Sequence, residues 1–244
     1  LNKPAQVIFL CAIPAFFVLA AYKSYKSLTI GAFLVLACLI LTASQASYLI
    51  IIAALLTLIL YSAGKNMLIP LSAFIWAGVF VLLPIILVLY GPALFDLFDK
   101  NRELNLYSSP YARVEIWYGT SKLVFDQFWF GHGISTFRET TLPISQLFFY
   151  RDTTLHPHNI ALQIWFEFGI LGIFLTLCLL GGIFYNIYHL ARPYKIILLA
   201  FMNAYLLQSM VSYGLWQGWN IGFLFFYWAY FGLSVFLIER ARAD

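Results

Sequence analysis

The feature that most limits what this chain can fold into is the gathering of its apolar residues into long blocks. They run over about 5–22, 28–43, 48–61, 67–89, 164–190, 194–212 and 219–238. A bilayer core about 30 Å thick takes ~20 residues of α-helix to cross. Blocks of this length, in a chain 63% hydrophobic and only 10% charged, exclude an ordinary soluble domain and a disordered segment. They also exclude a transmembrane β-barrel, whose strands alternate apolar and polar residues. The predicted fold class is all-α: a polytopic transmembrane helical protein of about seven spans. The second and third blocks are short, and only Ser44-Gln45-Ala46-Ser47 separates them. One long helix with a polar interruption is the alternative there.

Basic residues then set an orientation. If the spans alternate, Lys23, Lys26, Lys65, Arg192, Lys195, Arg240 and Arg242 fall on one side, and Lys3 is left in a short segment on the other. The positive-inside rule makes the first side cytoplasmic, with the C-terminus there too. The 14 Lys and Arg are scattered, so the net charge of +4 is no nucleic-acid footprint. Cys11, Cys38 and Cys178 lie inside apolar blocks, far apart, and read as small hydrophobes. The chain opens on Leu1 with no cleavable signal pattern. The expectation is the C-terminal part of a longer protein.

The expected organisation is transmembrane helices over 1–89 (about four), a large non-cytoplasmic loop over 90–160, and transmembrane helices over 161–244 (about three). The loop is far longer than a connector. It holds six of the 14 basic and seven of the 10 acidic residues, so chemistry is sought there first. It is also rich in aromatic residues, which predicts short helices folded against the membrane surface. Residues 110–127 read as an amphipathic helix: Pro110 suits a first turn, and Val114, Trp117, Ser121 and Val124 recur at helical spacing.

Three groups of polar residues stand out. Arg113 and Trp117 are i and i+4 on that helix, with Glu115 between them. A surface helix with a stray charge is the plainer reading. Gly131-His132-Gly133 marks a tight turn or a close backbone approach, and no nucleotide-binding fingerprint surrounds it. Leu155-His156-Pro157-His158-Asn159 is the most informative stretch. Asn159 is a good N-cap for the helix that follows, which puts His158 at a helix start. No third or fourth ligand accompanies His156 and His158 at metal-site spacing, so no metal or other cofactor is expected. Gln163 and Glu167 share a face of that helix, where a carboxylate is costly unless it faces protein or water. Gly169 and Gly172 read as sites of close helix packing.

Lipid-pyrophosphate chemistry would use such a set. A sugar on a polyprenyl pyrophosphate already carries a good leaving group. The protein must stabilise charge developing on the pyrophosphate, a role suited to arginine. It must also take a proton from the acceptor hydroxyl, a role suited to a neutral histidine. Arg113, Arg138 or Arg151, with His158, would meet both needs.

The segment His158-Asn159, nine residues, Gly169-Ile170-Leu171-Gly172 resembles the HN-x9-GxxG signature of O-antigen ligases. The order of an Arg-x3-Trp helix, a Gly-x-Gly turn and the His-Asn motif is similar as well, and the resemblance covers roughly 40–240. It implies a metal-independent membrane glycosyltransferase of the bacterial inner membrane. The implied donor is a glycan on undecaprenyl pyrophosphate, and the implied acceptor is lipid A-core. The related O-antigen polymerases, which extend a lipid-linked glycan, are the alternative. A non-catalytic transporter or scaffold is another, although the spans offer few mid-membrane polar groups beyond Gln45, Ser47, Asn203 and Gln208. The resemblance implies that Arg113 contacts pyrophosphate and His158 activates the acceptor. Arg138, Arg151, Gln45, His156, Asn159, Glu115 and Glu167 are the expected substrate-binding residues. Gln45 stands where the family often has arginine, and Phe128 where a proline is common. Gln45 cannot neutralise phosphate, so either Arg138 or Arg151 supplies that charge or the protein is weak or inactive.

Overall fold

The computed structural model describes residues 2–42, 45–100, 108–143, 154–212 and 214–243. Its helices are α1 (Asn2–Ala21), α2 (Tyr25–Thr42), α3 (Gln45–Gly64), α4 (Leu68–Lys100), α5 (Ser108–Val124), α6 (Ile160–His189), α7 (Arg192–Ser209) and α8 (Gly218–Ala243). No strand occurs among the described residues. Every apolar block of the sequence has become a helix. Segments 47–64, 68–94, 160–189 and 218–243 are long and apolar enough to cross a membrane, and α1 and α2 carry shorter apolar stretches. The outward faces are themselves apolar: Phe33, Phe74, Leu89 and Phe225 are all exposed. Such surfaces suit contact with lipid rather than water. The protein is a multi-pass membrane protein.

The chain forms two compact units. One comprises residues 1–72, 183–208 and 217–244. In it α1 packs against α2, α3 and α8. α7 is buried on most of its surface, with Ile197, Leu199, Ala200 and Ala204 fully enclosed. Its polar residues serve as links between helices. Asn203 Nδ2 donates to Thr57 Oγ1 (3.1 Å) and Ser72 Oγ (3.2 Å), and Gln208 Nε2 donates to Gln6 Oε1 (2.9 Å). Such bonds hold helices together where burial of apolar surface against lipid gives no drive.

The other unit comprises residues 73–182 and 209–216. Two prolines shape its first helix. α4 runs through Pro84 and Pro92 to Lys100, so the first part of the segment expected as loop from residue 90 is helical. Gly91-Pro92 reads as a stop signal in water. In a membrane helix the freed backbone groups find other partners and the helix continues. Pro84 has no N–H to offer the Phe80 carbonyl one turn back. The Trp165 indole N–H donates to that carbonyl instead, at 2.7 Å. At Gly91 the ring of Tyr118 fills the space a side chain would take. α5 starts and ends close to the helix expected at 110–127, but its buried face is more polar than that pattern suggests: Glu115, Thr120 and Ser121 are enclosed. The two hydroxyls bond their own helix, at Ile116 O (2.6 Å) and Tyr118 O (2.7 Å).

Candidate functional site

The His-Asn motif lies in the second unit, at the start of α6. Asn159 caps the helix as its sequence position predicts: Oδ1 accepts from the Leu162 N–H at 3.0 Å. Its Nδ2 donates to the Met210 carbonyl, also at 3.0 Å. Asn159 therefore fixes both the helix start and the segment 209–216. His158, just outside the helix, has φ +54°. This left-handed conformation is uncommon for a residue with a side chain, and such strain gathers at functional sites.

Several contacts hold His158 there. Its backbone N–H donates to His156 Nδ1 (3.2 Å), and the two rings meet edge to face at 4.2 Å. Its own Nδ1 lies 3.4 Å from the Ser212 carbonyl. A carbonyl only accepts, so this contact assigns the proton of the neutral ring to Nδ1 and leaves Nε2 as the basic nitrogen. His156 is buried against Gly214. Pro157 is held from the other side, where the Trp117 indole N–H donates to its carbonyl at 2.9 Å. That bond ties α5 to the residue preceding His158. Arg113 shares the Trp117 face, one turn away, about 6 Å along the axis. It is half-buried, and loss of solvation lowers its pKa. A partly desolvated guanidinium gains from an anionic partner.

Below the motif, Gln163 and Glu167 are almost fully buried. Gln163 Nε2 donates to Glu167 Oε1 (2.8 Å), and the Trp216 indole N–H donates to Glu167 Oε2. Gln163 Oε1 accepts from the Leu215 N–H at 2.7 Å. Both carboxylate oxygens are thus engaged by protein.

α6 breaks at Gly169, where φ is +61° and ψ −153°. The break leaves carbonyls and N–H groups without their helical partners, and the turn at 128–133 supplies replacements. His132 N–H donates to Phe166 O (2.7 Å) and Gly133 N–H to Glu167 O (3.0 Å). In return Ile170 N–H donates to Phe128 O at 2.8 Å. Gly131, at φ +70°, faces the same contact. A Cβ there would stand 2.4 Å from the backbone of Glu167 and Phe168. The His132 ring stacks on Phe166 at 4.3 Å, and its Nε2 donates to the Leu123 carbonyl at 2.9 Å, near the end of α5.

The structure therefore brings His156, His158, Asn159 and Trp117 together, with Arg113 one turn from Trp117. Glu115 lies two residues from Arg113, on the opposite side of α5, and is fully buried. Arg138 sits exposed on the short helix Thr136–Glu139. Arg151 and the side chain of Gln45 lie outside the described residues. No group of three or more His, Cys, Asp or Glu side chains suited to a metal occurs among the described residues. Sequence reasoning missed Trp216 and the segment 209–216, and it read His132 only as part of a glycine turn. The string Gly214-Leu215-Trp216-Gln217-Gly218-Trp219 between two apolar blocks was the available signal.

Comparison with known proteins identifies the family. Residues 30–177 match the family model described as O-antigen ligase. A protein of Rickettsia conorii named "Putative polysaccharide ligase" is 29% identical over 157 residues, covering 59% of this chain and 38% of the relative. A Rickettsia typhi protein of the same description is 28% identical over 162 residues, covering 59% of this chain and 39% of the relative. The chain thus spans under half the length of the curated relatives it matches. No solved structure matches. With a match over more than half its length, the chain belongs to the O-antigen ligase family.

Proposed function

We propose that the protein is an inverting glycosyltransferase that moves a glycan from undecaprenyl pyrophosphate to a hydroxyl of lipid A-core. Transfer takes place at the periplasmic face of the bacterial inner membrane and needs no metal. The acceptor oxygen attacks the anomeric carbon from the side opposite the pyrophosphate. The carbon–oxygen bond to the pyrophosphate breaks as the new glycosidic bond forms. His158 Nε2 takes the hydroxyl proton, and Arg113 neutralises charge growing on the leaving pyrophosphate. Arg138 and Arg151 are further candidates for the pyrophosphate.

The observation that supports this reading best is the placement of His158. It sits at a helix start, in a left-handed conformation, with Nδ1 against the Ser212 carbonyl and Trp117 bonded to the preceding residue. A general base needs this kind of fixed tautomer and orientation.

The test uses the full-length gene in a host lacking its own ligase, with lipopolysaccharide resolved on a gel. Wild type should restore a ladder, and His158→Ala should not, at equal membrane expression. Arg113→Ala should lose more transfer than Arg113→Lys. Lysine should still fall short of wild type, because a point charge cannot make a bidentate contact. A ladder of equal strength from His158→Ala would remove the proposed base.

A further inference from the structure

A second polar site lies in the first unit. A cavity of about 270 Å³ is lined by Tyr61, Asn66, Arg192 and Lys195. A single water takes about 30 Å³, so there is room for a larger polar group. Lys195 is only 8% exposed. Its Nζ donates to Asn66 Oδ1 at 3.3 Å and stands 5.2 Å from the Tyr188 ring centroid. The Tyr61 hydroxyl donates to the same Asn66 oxygen at 3.1 Å. These partners are neutral.

Charge placement makes the cluster unusual. Arg192 and Lys195 fall in the first four residues of α7, and no acidic residue occupies that turn. The N-terminus of a helix is its positive end, where cations are unfavourable and anions favourable. The nearby carboxylate on α8, Glu239, is engaged by the Tyr194 hydroxyl and by Arg242. Among the described residues, Glu239–Arg242 is the one ion pair. Two cations, one of them buried, thus share a cavity with the positive end of a helix.

We propose that this cavity binds a phosphate group. An anionic lipid headgroup at the helix ends is one source, and a free phosphate is the other. Arg192 supplies a planar fork for two phosphate oxygens, and Lys195 supplies a charge from the cavity wall. Basic pockets between membrane helices bind such headgroups by the same chemistry.

The test measures binding of phosphatidylglycerol to the full-length protein, purified in detergent, by native mass spectrometry. Wild type is compared with Arg192→Gln and Lys195→Gln. Loss of one charge-assisted contact should weaken binding about tenfold. Arg192 is exposed, so its variant should fold normally and carries the decision even where Lys195→Gln does not. Displacement of the lipid by inorganic phosphate would show that phosphate alone is recognised. Retention of the lipid would assign the site to headgroups. Equal affinity in wild type and Arg192→Gln, or no binding of either probe, overturns the proposal.

Discussion

Replacing Gly169 with alanine should undo the docking of the 128–133 turn on α6. At φ +61° and ψ −153° the residue occupies a region open essentially only to glycine. The added Cβ would also stand 2.5 Å from Phe128 O and 2.7 Å from Phe130 N. Those are backbone atoms, so no rotamer change can relieve the contact. The molecule must keep the strain or separate the two segments. Separation gives up three well-formed backbone bonds, at 2.7, 2.8 and 3.0 Å. At ~1 kcal/mol each they contribute about 3 kcal/mol. Residual backbone strain adds at least ~1 kcal/mol. A loss near 4 kcal/mol lowers Tm by about 10 °C for a chain of this size. Thermal unfolding of the purified protein in detergent, followed by tryptophan fluorescence, would measure it. Gly181→Ala on the same helix is the control, because a Cβ there meets nothing within 4 Å. It should be neutral. Gly131→Ala should cost about as much as Gly169→Ala, and the double variant little more than either, since both break one contact. A Tm for Gly169→Ala within about 2 °C of the control, or full additivity in the double variant, would refute the reasoning (an interval small beside the loss expected here).

Two other changes test the supports around the site. Glu167→Gln replaces a group that accepts two hydrogen bonds with one that must present an N–H to Gln163 Nε2 or to the Trp216 indole. It should cost about 1–3 kcal/mol in thermal unfolding, and a Tm equal to wild type would count against this network. Trp165→Phe leaves the Phe80 carbonyl without its indole donor, again at ~1–3 kcal/mol. In a Pro84→Ala background the same change should cost less, because residue 84 regains the N–H that carbonyl needs. Equal costs in the two backgrounds would show that Pro84 does not create the vacancy Trp165 fills.

What the sequence reveals here depends on how local each cause is. Helix positions were legible because bilayer thickness and apolar block length are linked directly. The cap at Asn159 was legible because a capping residue and the N–H it binds lie three positions apart. The end of α4 was not, because Gly91-Pro92 has one meaning in water and another beside the ring of Tyr118. The role of Gly169 was legible only in part. Close packing was expected, but its partner turn lies some 40 residues away, and nothing between them marks the pairing. Trp216 was invisible for the same reason: its partner Glu167 lies in another element. The setting of Arg113 was half visible. Helical spacing put it beside Trp117, but the bond from Trp117 to Pro157 joins two separate stretches of chain.

The first segment of α6 carries more polar side chains than a helix entering a membrane should, and the segment 209–216 explains why. Irregular backbone at such a place persists only where protein satisfies its polar groups. Asn159, Gln163 and Glu167 fall at i, i+4 and i+8, one stripe of the helix. In order, they take the Met210 carbonyl, the Leu215 N–H and the Trp216 indole. The stripe thus binds Met210, Leu215 and Trp216 through its side chains. His158 stands just beyond its upper end and touches the same segment at Ser212. The stripe fixes where the histidine sits, and in the proposed reaction the histidine acts as the base. Stability and transfer should therefore separate. His158→Ala should abolish transfer at nearly unchanged Tm, while Glu167→Gln should lower both, because it loosens the support on which the histidine rests.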